Sequence, residues 1–103
     1  MKLSEAIREG AKLRPQTFGS FFDTNSENVV CSCTLGAAFE GKTGYVSLKL
    51  EYVNQLHPVF PELATQVELN GLRRDLAQAV TQLNDGERWT REQIADWLEE
   101  KGY

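Results

Sequence analysis

The sequence predicts a small α+β domain, mostly helical, with about four helices around one core and a short β-hairpin near residues 18–31. Three observations carry that expectation. Apolar residues recur at helical spacing over 4–13, 69–83 and 90–101. Aromatic and β-branched residues flank an Asn-, Asp- and Ser-rich stretch at 23–28. The chain has 103 residues, 41% hydrophobic and 25% charged, which suits a single globular domain spanning 1–103. A chain of this size hides roughly 65% of its unfolded surface, enough for one core without staples.

The first helix is expected over 4–13, with Ser4 as N-cap and Leu3, Ile7 and Ala11 on its apolar side. Glu5 near its start and Lys12 and Arg14 near its end suit the helix dipole, and Pro15 stops it. Phe18, Phe21 and Phe22, then the turn residues 23–28, then Val29-Val30-Cys31 read as two short antiparallel strands. An isolated hairpin is marginal and needs a helical layer beneath it. A short helix follows over 34–40, with Thr34 as a candidate cap and Gly41 and Gly44 at its end.

Residues 45–56 support two readings. Val46, Leu48, Leu50 and Tyr52 alternate with polar residues, as in a strand. A helix would gather Tyr45, Leu48, Tyr52 and Leu56, with Lys49 intruding. The mainly helical context leans toward the helix. Two prolines, Pro58 and Pro61, close the stretch in either case. Leu69, Leu72, Leu76, Ala79, Val80 and Leu83 then predict one amphipathic helix over 69–83.

The last helix, 90–101, has the strongest local signature. Thr90 and Gln93 form a capping box, and Trp89 and Ile94 a hydrophobic staple. Ile94, Trp97 and Leu98 are its buried side. The short 84–89 connection makes it an antiparallel neighbour of 69–83, with Trp97 packed between them.

Charge narrows the possible functions. The net charge is −4 and the pI about 5.0, so no broad cationic field is available for phosphate backbones, which argues against nucleic acid. Only residues 1–14 are net basic, leaving Lys2, Arg8 and Lys12 as candidate phosphate contacts. No apolar run has the ~18 residues of a membrane helix, and the first residues lack the apolar region of a signal peptide. Two cysteines one residue apart suggest reduced thiols and a cytoplasmic protein.

Three blocks carry a resemblance: LSEAIREGAKLRPQ at 3–16 running into Phe18-Gly19; CTLGAA at 33–38; and LND at 83–85 with WTREQIADWLEE at 89–100. On these blocks, about a third of its length, the chain resembles a family of small, functionally uncharacterised bacterial and prophage-encoded proteins. The resemblance implies no activity and no catalytic residue. The turn at 23–28 and the Tyr45–Leu56 stretch differ from that family's usual middle.

Candidate chemistry is sparse. Cys31 and Cys33 would supply two thiolate ligands, but zinc needs two more, and His57 is the only histidine. Small buried residues are the plainer reading of the pair. Asp23–Asn28 begins like a calcium loop, yet the sixth and twelfth positions are Asn28 and Thr34 rather than Gly and Glu. No phosphate loop, dinucleotide fingerprint or nucleophile elbow is present. Residues 89–98 resemble the first helix of a helix-turn-helix unit, with no recognition helix following.

The expectation is therefore a non-enzymatic, cytoplasmic interaction or accessory protein, phage- or prophage-related, without metal or cofactor. It would bind a protein partner or a second copy of itself. Trp89, Tyr103, Phe21 and Phe22 are the candidate contact aromatics. Thr90, Gln93, Ile94 and Trp97 are assigned structural roles. A DNA-associated regulator is the alternative class, and a thiol-dependent metal binder the weaker one.

Overall fold

A computed structural model describes all residues, Met1–Tyr103. Four α-helices and two antiparallel two-stranded sheets make a mostly helical α+β fold. In chain order these are α1 (Leu3–Ala11), β1 (Phe22–Thr24), β2 (Val30–Ser32), α2 (Thr34–Thr43), β3 (Gln66–Leu69), β4 (Leu72–Asp75), α3 (Leu76–Thr81) and α4 (Arg91–Glu100). Short 3-10 turns at Val53–Gln55 and Pro61–Ala64 precede β3, and α3 continues into a single π turn, Gln82–Gly86.

Helix α1 is the centre of the fold. One side packs on α2 and the other on α4. The α1–α2 contact is close because small residues face each other. A Cβ at Gly10 would overlap the Ala37 carbonyl, and one at Gly41 would overlap the Ala6 carbonyl. Leu3, Ile7, Leu35, Leu76, Val80, Leu83, Ile94 and Leu98 fill one continuous core with Leu56, Phe60 and Leu63 from the middle of the chain. Across the outer edge of the α1–α4 contact, Arg8 donates to Glu92 (Nε, 3.0 Å), Asp96 (Nη2, 2.6 Å) and Glu99 (Nη1, 2.9 Å). Those three carboxylates share one α4 face at i, i+4, i+7.

The first helix starts at Leu3, with Lys2 as its uncapped N-cap residue. Ser4 is buried instead of capping, and its N–H and hydroxyl both donate to the Tyr103 carbonyl, at 3.1 and 3.2 Å. The chain terminus is thereby held against α1, a contact no local pattern reveals. At α2 the cap is Cys33, whose Sγ accepts from the Gly36 N–H at 3.4 Å. Thr34 is the first helical residue and its hydroxyl is used elsewhere.

The predicted first hairpin is present. Phe22 pairs with Ser32 and Thr24 with Val30. Asn25 builds the turn, its Oδ1 accepting from the Glu27 and Val29 N–H groups at 2.9 and 3.0 Å. A second hairpin replaces the first half of the helix expected over 69–83. Asn70 and Gly71 both have positive φ, 53° and 80°, and form the two-residue turn that Asn-Gly favours between strands. Leu69 then pairs with Leu72. The helix begins only at Leu76. Its N-cap Asp75 accepts from the Gln78 N–H at 2.8 Å while the Gln78 side chain accepts from the Asp75 N–H at 3.3 Å. Leucines at 69, 72 and 76 imitate a helical face by spacing, but Leu72 is 56% exposed.

Residues 45–52 form neither the strand nor the helix considered from sequence, and the one short helical turn is the 3-10 turn Val53–Gln55. Both sheets are two-stranded, so no third strand pairs with the alternating segment. Gln55 organises it locally, its Oε1 accepting from the Glu51 and Tyr52 N–H groups at 2.9 Å each. We call residues 45–53 the strap.

At α4, Thr90 Oγ1 accepts from the Gln93 N–H at 3.1 Å and Gln93 Oε1 accepts from the Thr90 N–H at 2.9 Å. Thr90→Ala is expected to lower stability by about 1 kcal/mol in urea denaturation. A loss under about 0.3 kcal/mol would mean that tertiary contacts alone hold this helix end. The principal helical neighbour of α4 is α1, not α3. The π turn and the left-handed residue Arg88 (φ 58°) redirect the chain before α4. Trp97 is half-buried against the common core, with Lys101 Nζ 4.8 Å above its ring.

Candidate functional site

The π turn that ends α3 positions the most connected polar side chain in the core. Its wider coil leaves Leu83 and Asn84 buried side by side. Asn84 Oδ1 accepts from the Gln16 side chain (2.9 Å), the Thr34 N–H (3.1 Å) and the Thr34 hydroxyl (2.7 Å). Its amide donates to the Thr17 carbonyl (3.2 Å) and to Asp85 (2.7 Å). Asn84 therefore joins the 16–17 segment, the first turn of α2 and the end of α3.

Above this node lies a cleft of about 560 Å³. One wall is the Gly19–Asp23 segment, which crosses the start of α2. The crossing requires glycine at 36, where a Cβ would overlap the Phe21 carbonyl. That carbonyl accepts from the Cys33 N–H at 3.0 Å, and the Gly19 N–H donates to Asp85 at 3.0 Å. The floor is Thr34 and Leu35 with Val80 and Asn84, and the strap closes the other side with Leu48, Leu50, Glu51 and Val53. Half of the lining residues are hydrophobic, and its carboxylates are Asp23, Glu51 and Asp85. None of the three makes an ion pair, and no lysine, arginine or histidine lines the cleft.

Behind the floor, Arg91 is buried without a carboxylate partner. It donates to the Ser32 hydroxyl (2.9 Å) and carbonyl (3.3 Å), the Arg14 carbonyl (2.6 Å) and the Ala11 carbonyl (3.4 Å). Burial pulls its pKa down from the ordinary guanidinium value, an effect that Cys33 and Cys31 oppose only when ionised to thiolates. Arg14 itself is paired with buried Glu40 at 2.9 Å.

Cys31 and Cys33 are both free and buried, and the fold brings no three His, Cys, Asp or Glu side chains together as a metal site. Burial pushes the Cys33 thiol from 9.0 up to about 11. The folded state therefore holds its proton more tightly than the unfolded state. The associated stability is complete below about pH 9 and falls as pH rises toward 11. Across that range wild type is expected to lose about 2–3 kcal/mol more than Cys33→Ala, read by denaturation at matched pH. Parallel pH curves for the two proteins would contradict the shift.

Of the contact aromatics expected from sequence, Phe21 is half-buried and lines the cleft. Phe22 also lines the cleft but is only 5% exposed, edge-on to Phe39 with centroids 6.3 Å apart. Trp89 and Tyr103 are half-buried with their apolar surface on the core and lie outside the cleft. His57 is half-buried and also outside it. The most exposed aromatics are instead Tyr45 (72%) and Tyr52 (65%), with Leu48 at 59% on the same strap. Sequence reading placed all three in an element with a buried face. Asn84 and Arg91 were also missed. One signal was available, a polar residue directly following Leu83 on an apolar face.

The fold and cleft define a small α+β domain with a groove of mixed apolar and polar lining, rimmed by carboxylates, beneath an exposed strap. Comparison with known protein families, curated proteins and solved structures finds no match. No helix is long and apolar enough to cross a membrane.

Proposed function

We propose that this chain is a non-enzymatic interaction protein of the cytoplasm, of the small bacterial and prophage-encoded kind that its sequence blocks resemble. It docks a protein partner over the strap and the cleft beneath. The observation that carries this reading is the strap itself. Leu50 and Val53 anchor it to the core while Tyr45, Leu48 and Tyr52 stand in solvent. Exposed apolar groups concentrated on one segment beside a groove mark contact surfaces, and aromatic residues are preferred anchors there.

The DNA-associated reading draws less support. Arg8, its central phosphate contact, has its donors committed to Glu92, Asp96 and Glu99, and Lys12 is paired with Glu9.

Site-specific photocrosslinking in cells tests the proposal. A photoreactive residue at position 48 or 52 is expected to trap a protein adduct, and one at exposed Glu100 is not. Leu48→Asp should abolish the adduct formed from position 52 without moving the unfolding midpoint. Adducts from positions 89 and 103 with none from the strap would relocate the interface and overturn this reading.

A further inference from the structure

The cleft also indicates what kind of segment it would accept, an inference that rests on the docking surface proposed above. We propose that it takes a segment of another protein in which an aliphatic or aromatic side chain is flanked by lysine or arginine. Leu48, Leu50, Val53 and Phe21 offer the apolar walls for the central side chain. Around them stand Asp23, Glu51 and Asp85, none neutralised by an ion pair. Any occupant that covers the cleft strips water from those carboxylates. Burying an unpaired charge is costly, so a neutral or acidic segment is opposed and a cationic one is favoured.

The floor does not compete for an anion. The first-turn N–H groups of α2 are already in use, Thr34 N–H donating to Asn84 Oδ1 at 3.1 Å and Gly36 N–H to Cys33 Sγ at 3.4 Å. Asn84 is likewise saturated by Gln16, Thr34, Thr17 and Asp85. Selectivity therefore falls on the carboxylates. Lys49 is the strap's one cation, and its side chain does not line the cleft. Tyr45 and Tyr52, on the same strap, add exposed aromatic surface outside the cleft lining.

A phage-displayed library of random dodecapeptides, panned on the immobilised full-length chain, tests the inference. The selected pool is expected to be enriched in lysine and arginine beside leucine, phenylalanine or tryptophan. Individual clones should lose roughly tenfold or more in affinity for Glu51→Lys, a change at an exposed side chain, and should weaken as salt rises. Clones that lose binding to Leu48→Asp but show no basic enrichment, and bind Glu51→Lys as well as wild type, would overturn the cationic specificity while leaving the docking surface standing. A pool with no clone sensitive to Leu48→Asp would overturn both. Sedimentation equilibrium provides a separate arm. A dimer abolished by Leu48→Asp would make the occupant a second copy of this chain and overturn the proposal.

Discussion

Gly10→Ala and Gly41→Ala are each expected to destabilise the protein by about 3 kcal/mol, although alanine is the better helix former. Propensity alone would favour alanine by about 1 kcal/mol at a helix interior. Overlap reverses the sign. The new methyl would collide with the Ala37 carbonyl in one case and the Ala6 carbonyl in the other. Both obstacles are backbone, so no side-chain rotation relieves them. Relief requires α1 and α2 to separate, and each also packs against the rest of the core. Gly86→Ala is the matched control, because its added Cβ would meet only Gln82 Cγ at 3.8 Å. Equilibrium denaturation is expected to show large losses at 10 and 41 and little change at 86. A loss below about 1 kcal/mol at Gly10 would mean that the two helices are not in van der Waals contact along this seam.

Arg91→Met is expected to cost about 3 kcal/mol or more, whereas Arg8→Ala should cost about 1 kcal/mol or less. The ordering runs against a count of ion pairs. Arg8 has three carboxylate partners, but each is more than half exposed, and water and salt screen them. Arg91 has none, yet it satisfies three backbone carbonyls and the Ser32 hydroxyl around a buried site. Removing the guanidinium takes the donor from the Arg14 and Ala11 carbonyls and the Ser32 hydroxyl, while the Ser32 carbonyl keeps the Thr17 N–H at 3.0 Å, and each buried acceptor left unpaired costs about 1–3 kcal/mol. Arg91→Lys should recover only part of the loss, because one ammonium cannot reproduce the planar fork. Urea denaturation of the three variants at low and high salt checks the comparison. Only the Arg8 effect should shrink with salt. An Arg91→Met protein as stable as wild type would show that water replaces the guanidinium at little cost.

Elements with a short-range chemical signature were legible from sequence. The Thr90–Gln93 capping box is local hydrogen bonding between residues three apart, and so is the Asn25 turn. The β3–β4 hairpin was also written locally, in Asn70-Gly71, but leucine spacing across 69–76 masked it. Periodicity records where apolar residues fall, and short strands joined by a two-residue turn can reproduce a helical interval by coincidence. The strap failed for a different reason. Its alternation is real, but a strand needs a neighbour to complete its backbone hydrogen bonds, and each sheet has only two strands.

The candidate cleft was the least legible feature. Its parts come from segments near 20, 34, 50 and 84, joined only through packing. Phe21 and Phe22 are adjacent in sequence and both line the cleft, yet Phe21 is half-buried while Phe22 is buried edge-on to Phe39. The amino-acid sequence by itself determined a mostly helical α+β chain, the cap of its last helix, its first turn and its acidic balance, because these depend on residue type and short spacing. Tertiary structure alone decided that Gly10 and Gly41 are contact points, that Arg91 replaces ion pairs with carbonyls, and that Asp23, Glu51 and Asp85 rim one groove. Those roles depend on which distant backbone approaches each residue, and no local interval encodes that approach.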